Sequence, residues 1–102
     1  MTTPLACDLE AFDAAERRRY DGLREELARK RVGAREVPDG LALLYPSDPE
    51  LFLKLAEWIT LERRCCPFLS FSLQLDADPP AIRLHLRGGE DVKRFLLSQL
   101  GS

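Results

Sequence analysis

Two segments in the second half of the chain alternate strictly between apolar and polar residues. In residues 69–75 every second residue is leucine or phenylalanine, and the residues between them are serine or glutamine. Residues 82–87 repeat the pattern, with arginine and histidine at the polar positions. Because side chains on a strand point alternately to its two faces, each segment predicts a strand with one buried and one solvated face, as in antiparallel sheets. Residues 76–80 are predicted to form the turn between them.

A second pair of strands is predicted in the first half of the chain, at residues 32–37 and 41–45. The segment Pro38-Asp39-Gly40 lies between them. Proline presets φ in such a turn, and the glycine is expected to supply a positive φ. The natural interpretation is a β-hairpin.

Three helices are predicted from capping signals and periodicity. The first begins with a capping box in residues 13–16 and runs to about residue 30, with an apolar stripe opposite a charged, solvated face. The second runs from about Pro49 to residue 64, and its wide apolar arc is typical of a central buried helix. Pro67 disfavours helical geometry at the residue before it, so this helix is expected to end there. An amphipathic helix follows the glycines at positions 88 and 89.

The predicted order of elements is therefore α-ββ-α-ββ-α. This order favours an α+β domain in which a four-stranded antiparallel sheet is covered by helices on one face. The length of 102 residues fits a single domain spanning residues 1–102. The pattern leaves open how the hairpins meet: they pair within one chain, or edge strands pair across a homodimer.

Charge and hydropathy exclude several classes of function. The net charge is −2 and the sequence pI about 5.4, which disfavours general binding to nucleic acid phosphates. The apolar runs are too short to span a membrane. The first residues lack the basic start and apolar core of a signal peptide, so the expected location is the cytoplasm. A basic strip at Arg83, His85 and Arg87 lacks aromatic neighbours for base stacking and is interpreted as a solvated or dimer-facing surface.

The residues best able to bind a metal ion or to react are the cysteines Cys7, Cys65 and Cys66. An odd number without an export signal favours reduced thiols over a disulfide framework. Thiolates are soft ligands suited to zinc, copper(I) or mercuric ion. Adjacent side chains diverge by ~100° on a helix, so Cys65 and Cys66 converge on one site only if the backbone leaves the helix between them, which Pro67 favours.

Two further residues are candidates for the same metal site. Glu62 lies three residues before Cys65 and one helical turn before Cys66, so its carboxylate is placed to join them. Cys7 precedes the first helix in a segment without a strong pattern of its own, and is a candidate third sulfur folding over the site. The predicted metal ligands are therefore Cys7, Glu62, Cys65 and Cys66.

The position of the cysteine pair argues against an activated nucleophile. A helix C-terminus carries partial negative charge, which opposes formation of a thiolate, and Glu62 opposes it too. A bound cation reverses this argument because it deprotonates its own thiol ligands. Metal binding therefore suits this position better than thiol catalysis, and no catalytic residue is predicted.

The segment from Glu62 to Phe71, E-R-R-C-C-P-F-L-S-F, resembles a family of small, largely uncharacterised bacterial proteins. Similar segments occur as tails of some MerR-like, mercury-resistance-type regulators. The resemblance extends more loosely to the Cys7-Asp8-Leu9 start and to the Pro38-Asp39-Gly40 turn. It implies a link to heavy-metal or thiol sensing. The chain has no evident helix-turn-helix portion, so the resemblance is not to a complete regulator.

Three functions are consistent with the sequence. The first is a non-enzymatic module that binds or senses a soft metal ion. The second is a structural or interaction module in which the cysteines are core residues and a polar sheet face meets a protein partner or a second copy. The third is a thiol redox switch, for which a vicinal disulfide of Cys65 and Cys66 is sterically demanding.

Overall fold

The computed structural model of the protein describes residues 8–100, with the side chains of residues 99 and 100 excepted. Its elements follow the predicted order and confirm the α+β class. After a short 3-10 helix, Leu9–Ala11, they are α1 (Ala14–Lys30), β1 (Gly33–Val37), β2 (Gly40–Tyr45), α2 (Pro49–Cys65), β3 (Ser70–Ala77), β4 (Pro80–Arg87) and α3 (Glu90–Leu100).

The helices begin where their capping signals lie. At the start of α1 the Asp13 carboxylate accepts from the backbone N–H of Glu16 at 2.8 Å, and the Glu16 carboxylate accepts from that of Asp13 at 3.1 Å. These are the two bonds of a capping box. At the start of α2, Asp48 accepts from the backbone N–H of Glu50 at 3.0 Å. Among the described residues, no helix has the length and apolar content needed to cross a bilayer.

The charged face of α1 is partly used to contact α2. Three ion pairs join the two helices, at N···O distances of 2.5 to 2.7 Å: Arg19–Glu57, Lys54–Glu26 and Arg64–Glu16. Pairs this exposed contribute little stability each, so their main effect is to fix how α1 lies along α2. The alignment matters because α1 supplies a side chain to the cysteine site.

The four strands form one antiparallel sheet in the order β1-β2-β4-β3. The two hairpins therefore pair within one chain through β2 and β4, which answers the question that the sequence left open. Leu84 of β4 lies between Leu43 of β2 and Leu73 of β3. The second turn is tighter than predicted, because β3 and β4 extend until only Asp78 and Pro79, joined by a cis peptide bond, remain between them.

The core lies between one face of the sheet and the helices. Apolar residues of β2 and β4 form it with buried residues of α1, α2 and α3: Leu27, Leu41, Leu43, Tyr45, Leu51, Leu55, Ile82, Leu84, Leu86, Val92 and Leu96. On the opposite face of the sheet Arg83 pairs with Asp76 at 2.8 Å, and Arg87 donates to Ser72 at 2.9 Å. The predicted alternation in β4 is thus confirmed, with its basic residues opposite the core.

Gly40 has a different role from the predicted one. No described glycine has a positive φ, so the expectation that Gly40 supplies one is wrong. Gly40 is instead the first residue of β2 and lies opposite Arg87 of β4. A Cβ at this position would lie 1.9 Å from the backbone oxygen of Leu86. Glycine is needed here because the two backbones approach too closely for any side chain.

Candidate functional site

The cysteine pair lies at the C-terminal end of α2, where the backbone turns out of the helix. Cys65 is the last helical residue, and Cys66 follows it with φ −126° and ψ 69°. This departure before Pro67 rotates the Cys66 side chain back toward that of Cys65, as predicted. The two Sγ atoms are 3.7 Å apart, and both residues are fully buried.

Glu62 completes the cluster one turn earlier on α2. Its Oε1 atom is 2.9 Å from the Sγ of Cys66, and its backbone oxygen is 3.5 Å from the Sγ of Cys65. One carboxylate oxygen and the two sulfur atoms lie within 4.8 Å of one another. The structure therefore brings together three of the four predicted ligands. The fourth, Cys7, lies outside the described residues.

The second carboxylate oxygen of Glu62 is held by α1. The hydroxyl of Tyr20 donates a hydrogen bond to Glu62 Oε2 at 2.6 Å, and both side chains are buried. Burial first, and the Glu62 carboxylate second, raise the pKa of Tyr20, so the phenol keeps the proton that it donates. This role of Tyr20 was not predicted from the sequence. Its only sequence signal was a hydroxyl group on the buried stripe of α1.

The two cysteines differ in redox state. Cys65 is a free thiol, whereas Cys66 takes part in a disulfide. The expectation of reduced thiols therefore holds for Cys65 and is wrong for Cys66. A disulfide sulfur has no proton to donate, so the 2.9 Å approach of Glu62 Oε1 to Cys66 Sγ becomes a thiol hydrogen bond only when Cys66 is reduced. Burial raises the pKa of Glu62, and the hydrogen bond from Tyr20 and the charge of Arg24 oppose that shift.

Electrostatics at the site hold the Cys65 thiol in its protonated form. Burial, followed by the charge of Glu62, raises the pKa of Cys65 to about 11. A thiol in this environment is a poor nucleophile at neutral pH. The arrangement therefore agrees with the prediction from the helix C-terminus that the pair is not an activated catalytic group.

The segment that precedes α1 covers the site. The backbone N–H of Asp8 donates to the carbonyl of Cys65 at 2.8 Å, and the Arg64 guanidinium donates to the carbonyl of Ala11 at 2.8 Å. The same guanidinium lies over the Phe12 ring at 5.3 Å. Phe12 in turn contacts Tyr20, with ring centroids 5.0 Å apart. These contacts hold the segment against the cysteine cluster, whose two cysteines have no solvent exposure.

Replacing Tyr20 by phenylalanine is expected to destabilise the protein by about 1–3 kcal/mol, because it removes a buried donor from a buried carboxylate. Tyr45→Phe is the matched control: Tyr45 is equally buried, and burial raises the pKa of its hydroxyl without a carboxylate partner like that of Tyr20. Urea unfolding of both variants measures the difference. Equal free energies of unfolding for the two variants would contradict the assigned role of Tyr20.

Comparisons of the chain with protein-family models, with curated proteins and with solved structures give no match. In its reduced form the site offers two sulfur ligands and one carboxylate oxygen on three buried residues.

Proposed function

We propose that the reduced domain is a non-enzymatic module that binds or senses a soft metal ion through Cys65 and Cys66, with Glu62 as a third ligand. The observation that carries the proposal is the convergence of one carboxylate oxygen and two sulfur atoms within 4.8 Å. Zinc, copper(I) and mercuric ion are the candidate ions, since all three accept thiolate ligands. The resemblance of the cysteine segment to MerR-like tails supports the same class of ion.

The distance between the sulfur atoms suits a shared metal ion. Two sulfurs that each bind a tetrahedral zinc at ~2.3 Å lie ~3.8 Å from each other, and the Sγ atoms of Cys65 and Cys66 are 3.7 Å apart. Tyr20 holds the outer oxygen of Glu62 and leaves Oε1 directed at the sulfurs. Such an outer partner orients a ligand toward its metal.

Binding requires that the Cys66 disulfide first be reduced, because only a thiolate is a strong ligand for these ions. The proposal accordingly places the domain in a bacterial cytoplasm, where cellular reductants keep thiols reduced. As a sensing module it reports the bound ion to a protein partner or to a second copy of itself.

Titration of the reduced protein with each ion tests the proposal. A phosphine reductant is suitable because it adds no competing thiol. Stoichiometric uptake of at least one ion is expected, with new thiolate-to-metal absorbance and loss of thiol reactivity toward alkylating reagents. The matched controls are the oxidised protein and titration with magnesium ion, a hard ion that thiolates bind poorly. Unchanged thiol reactivity and no stoichiometric uptake in the reduced protein would refute the proposal.

A second candidate function is that of a structural or interaction module whose cysteines serve only as core residues. It is favoured by the complete burial of both sulfurs among Phe12, Tyr20 and their neighbours. If this function is correct, substitution of Cys65 by alanine changes stability alone, and the reduced wild-type protein takes up no metal ion. A redox switch is less well supported, because the raised pKa and burial of Cys65 both slow its attack on a disulfide.

A further inference from the structure

The outer edge of β3 is a long and unprotected sheet edge. β3 is the last strand in the sheet order and pairs with β4 along its whole length, from Ser70 opposite Arg87 to Ala77 opposite Pro80. Within residues 8–100 no strand pairs with its other side. Natural edge strands are usually shortened, bulged or interrupted by lysine or proline. β3 has eight residues in an unbroken register, with neither lysine nor proline among them.

An apolar surface flanks this edge on the core side of the sheet. Leu75 of β3 is 61% exposed and Leu53 of α2 is 67% exposed. Both line a groove of about 340 Å³ between the start of α2 and the end of β3, whose floor includes Phe52 and Ile82. Along the strand, Phe71 and other apolar residues remain only partly buried. Continuous apolar surface of this kind is typical of an interaction site.

We infer that this surface is a homodimer interface in which β3 pairs with β3 of a second copy, antiparallel about a two-fold axis. In the register that places Leu73 of one copy opposite Leu73 of the other, Phe71 faces Leu75 of the second copy on the apolar side. On the polar side Ser70 faces Asp76, which is the single charged residue of the strand. No like charges therefore meet, and the apolar residues of both strands form one continuous row.

The other free edge of the sheet is a poorer partner for β3. β1 has five residues, and Arg35 and Glu36 within it are exposed. Pairing of β3 with β1 of another copy would also leave free edges at both ends and build an open polymer. Pairing of β3 with β3 of a second copy covers the longer edge of both copies, so the assembly stops at a dimer. A second copy of the chain is therefore the partner that the β3 edge and its flanking leucines favour.

Sedimentation equilibrium from low micromolar to submillimolar concentration tests this inference. We expect the wild-type protein to reach twice the mass of the chain, and the double variant Leu53→Lys, Leu75→Lys to stay monomeric. Both leucines are exposed in the single chain, so the variant should keep the wild-type circular dichroism spectrum. Val32→Lys is the matched control, because Val32 is a 69% exposed apolar residue away from this edge, and it should still dimerise.

Two precautions distinguish dimerisation through β3 from dimerisation through the cysteine site. Samples contain a phosphine reductant and a chelator, so neither an intermolecular disulfide nor a bridging ion can produce the dimer. Amide hydrogen exchange then locates the contact: amides of β3 should exchange more slowly in the wild-type protein than in the lysine variant, and those of β1 should be unchanged. A wild-type monomer at submillimolar concentration, an open polymer, or a dimer that persists in the lysine variant would overturn the inference.

Discussion

Substitution of Cys65 by serine is expected to weaken binding of zinc to the reduced protein by about 100-fold or more. Structural zinc sites contribute roughly 10–16 kcal/mol through four ligands, so loss of one thiolate removes about 3 kcal/mol. Serine keeps the size of the side chain and a hydroxyl able to reach the Glu62 carbonyl, as the Cys65 sulfur does at 3.5 Å. Competition with a chelator of known affinity measures the change.

A comparison variant at Glu62 makes this experiment sharper. Glu62→Gln keeps both sulfurs and an oxygen that can accept from Tyr20, while removing the carboxylate charge. Because soft ions favour sulfur over oxygen, the variant should lose more affinity for zinc than for mercuric ion, whereas Cys65→Ser should weaken both. If Cys65→Ser retains wild-type affinity for an ion that the wild-type protein binds, the ion is held elsewhere.

Substitution of Gly40 by alanine is expected to destabilise the fold by about 3 kcal/mol or more. The added Cβ would lie 1.9 Å from the backbone oxygen of Leu86 and 3.0 Å from the Cα of Arg87. Both are backbone atoms of the neighbouring central strand, so no side-chain rotation relieves the clash. The β2–β4 pairing that joins the two hairpins has to open, and thermal or urea unfolding should record the loss.

Gly22→Ala is the matched control for this clash. Gly22 lies on the exposed face of α1, and a Cβ there meets no other group within 4 Å. Alanine is a better helix former than glycine, so this variant should gain about 0.5–1 kcal/mol. A Gly40→Ala protein that unfolds at the wild-type urea concentration would show that the two strands are further apart than described.

The local signals in the sequence predicted most of the fold correctly because they act over short distances. Asp13 and Glu16 define the start of α1 through bonds between residues three positions apart. Alternation in β4 reports which face of that strand is buried, whereas the apolar residues of β3 are only partly buried or exposed. Pro67 changes the backbone at Cys66 directly, so the convergence of Cys65 and Cys66 was also predictable.

The remaining features depend on contacts that no local pattern encodes. The order of the strands follows from pairing β2 with β4, which are 35 or more residues apart in sequence. Tyr20 reaches Glu62 across 42 residues, and only the packing of α1 on α2 brings them together. Gly40 was assigned to the turn because glycine is common there, whereas its real constraint is the carbonyl of Leu86 on another hairpin.

The enclosed position of Cys65 makes this residue a natural reporter of conformational opening. Its sulfur has no solvent exposure, and the cover over it is held by a bond between Arg64 and Ala11, which lie 53 positions apart. A reagent can reach the sulfur only when these distant parts of the chain separate. When reclosing is faster than labelling, the rate of modification at Cys65, read by peptide mass spectrometry, yields the free energy of that opening. The protein thus carries its own thiol probe of stability, without an engineered cysteine.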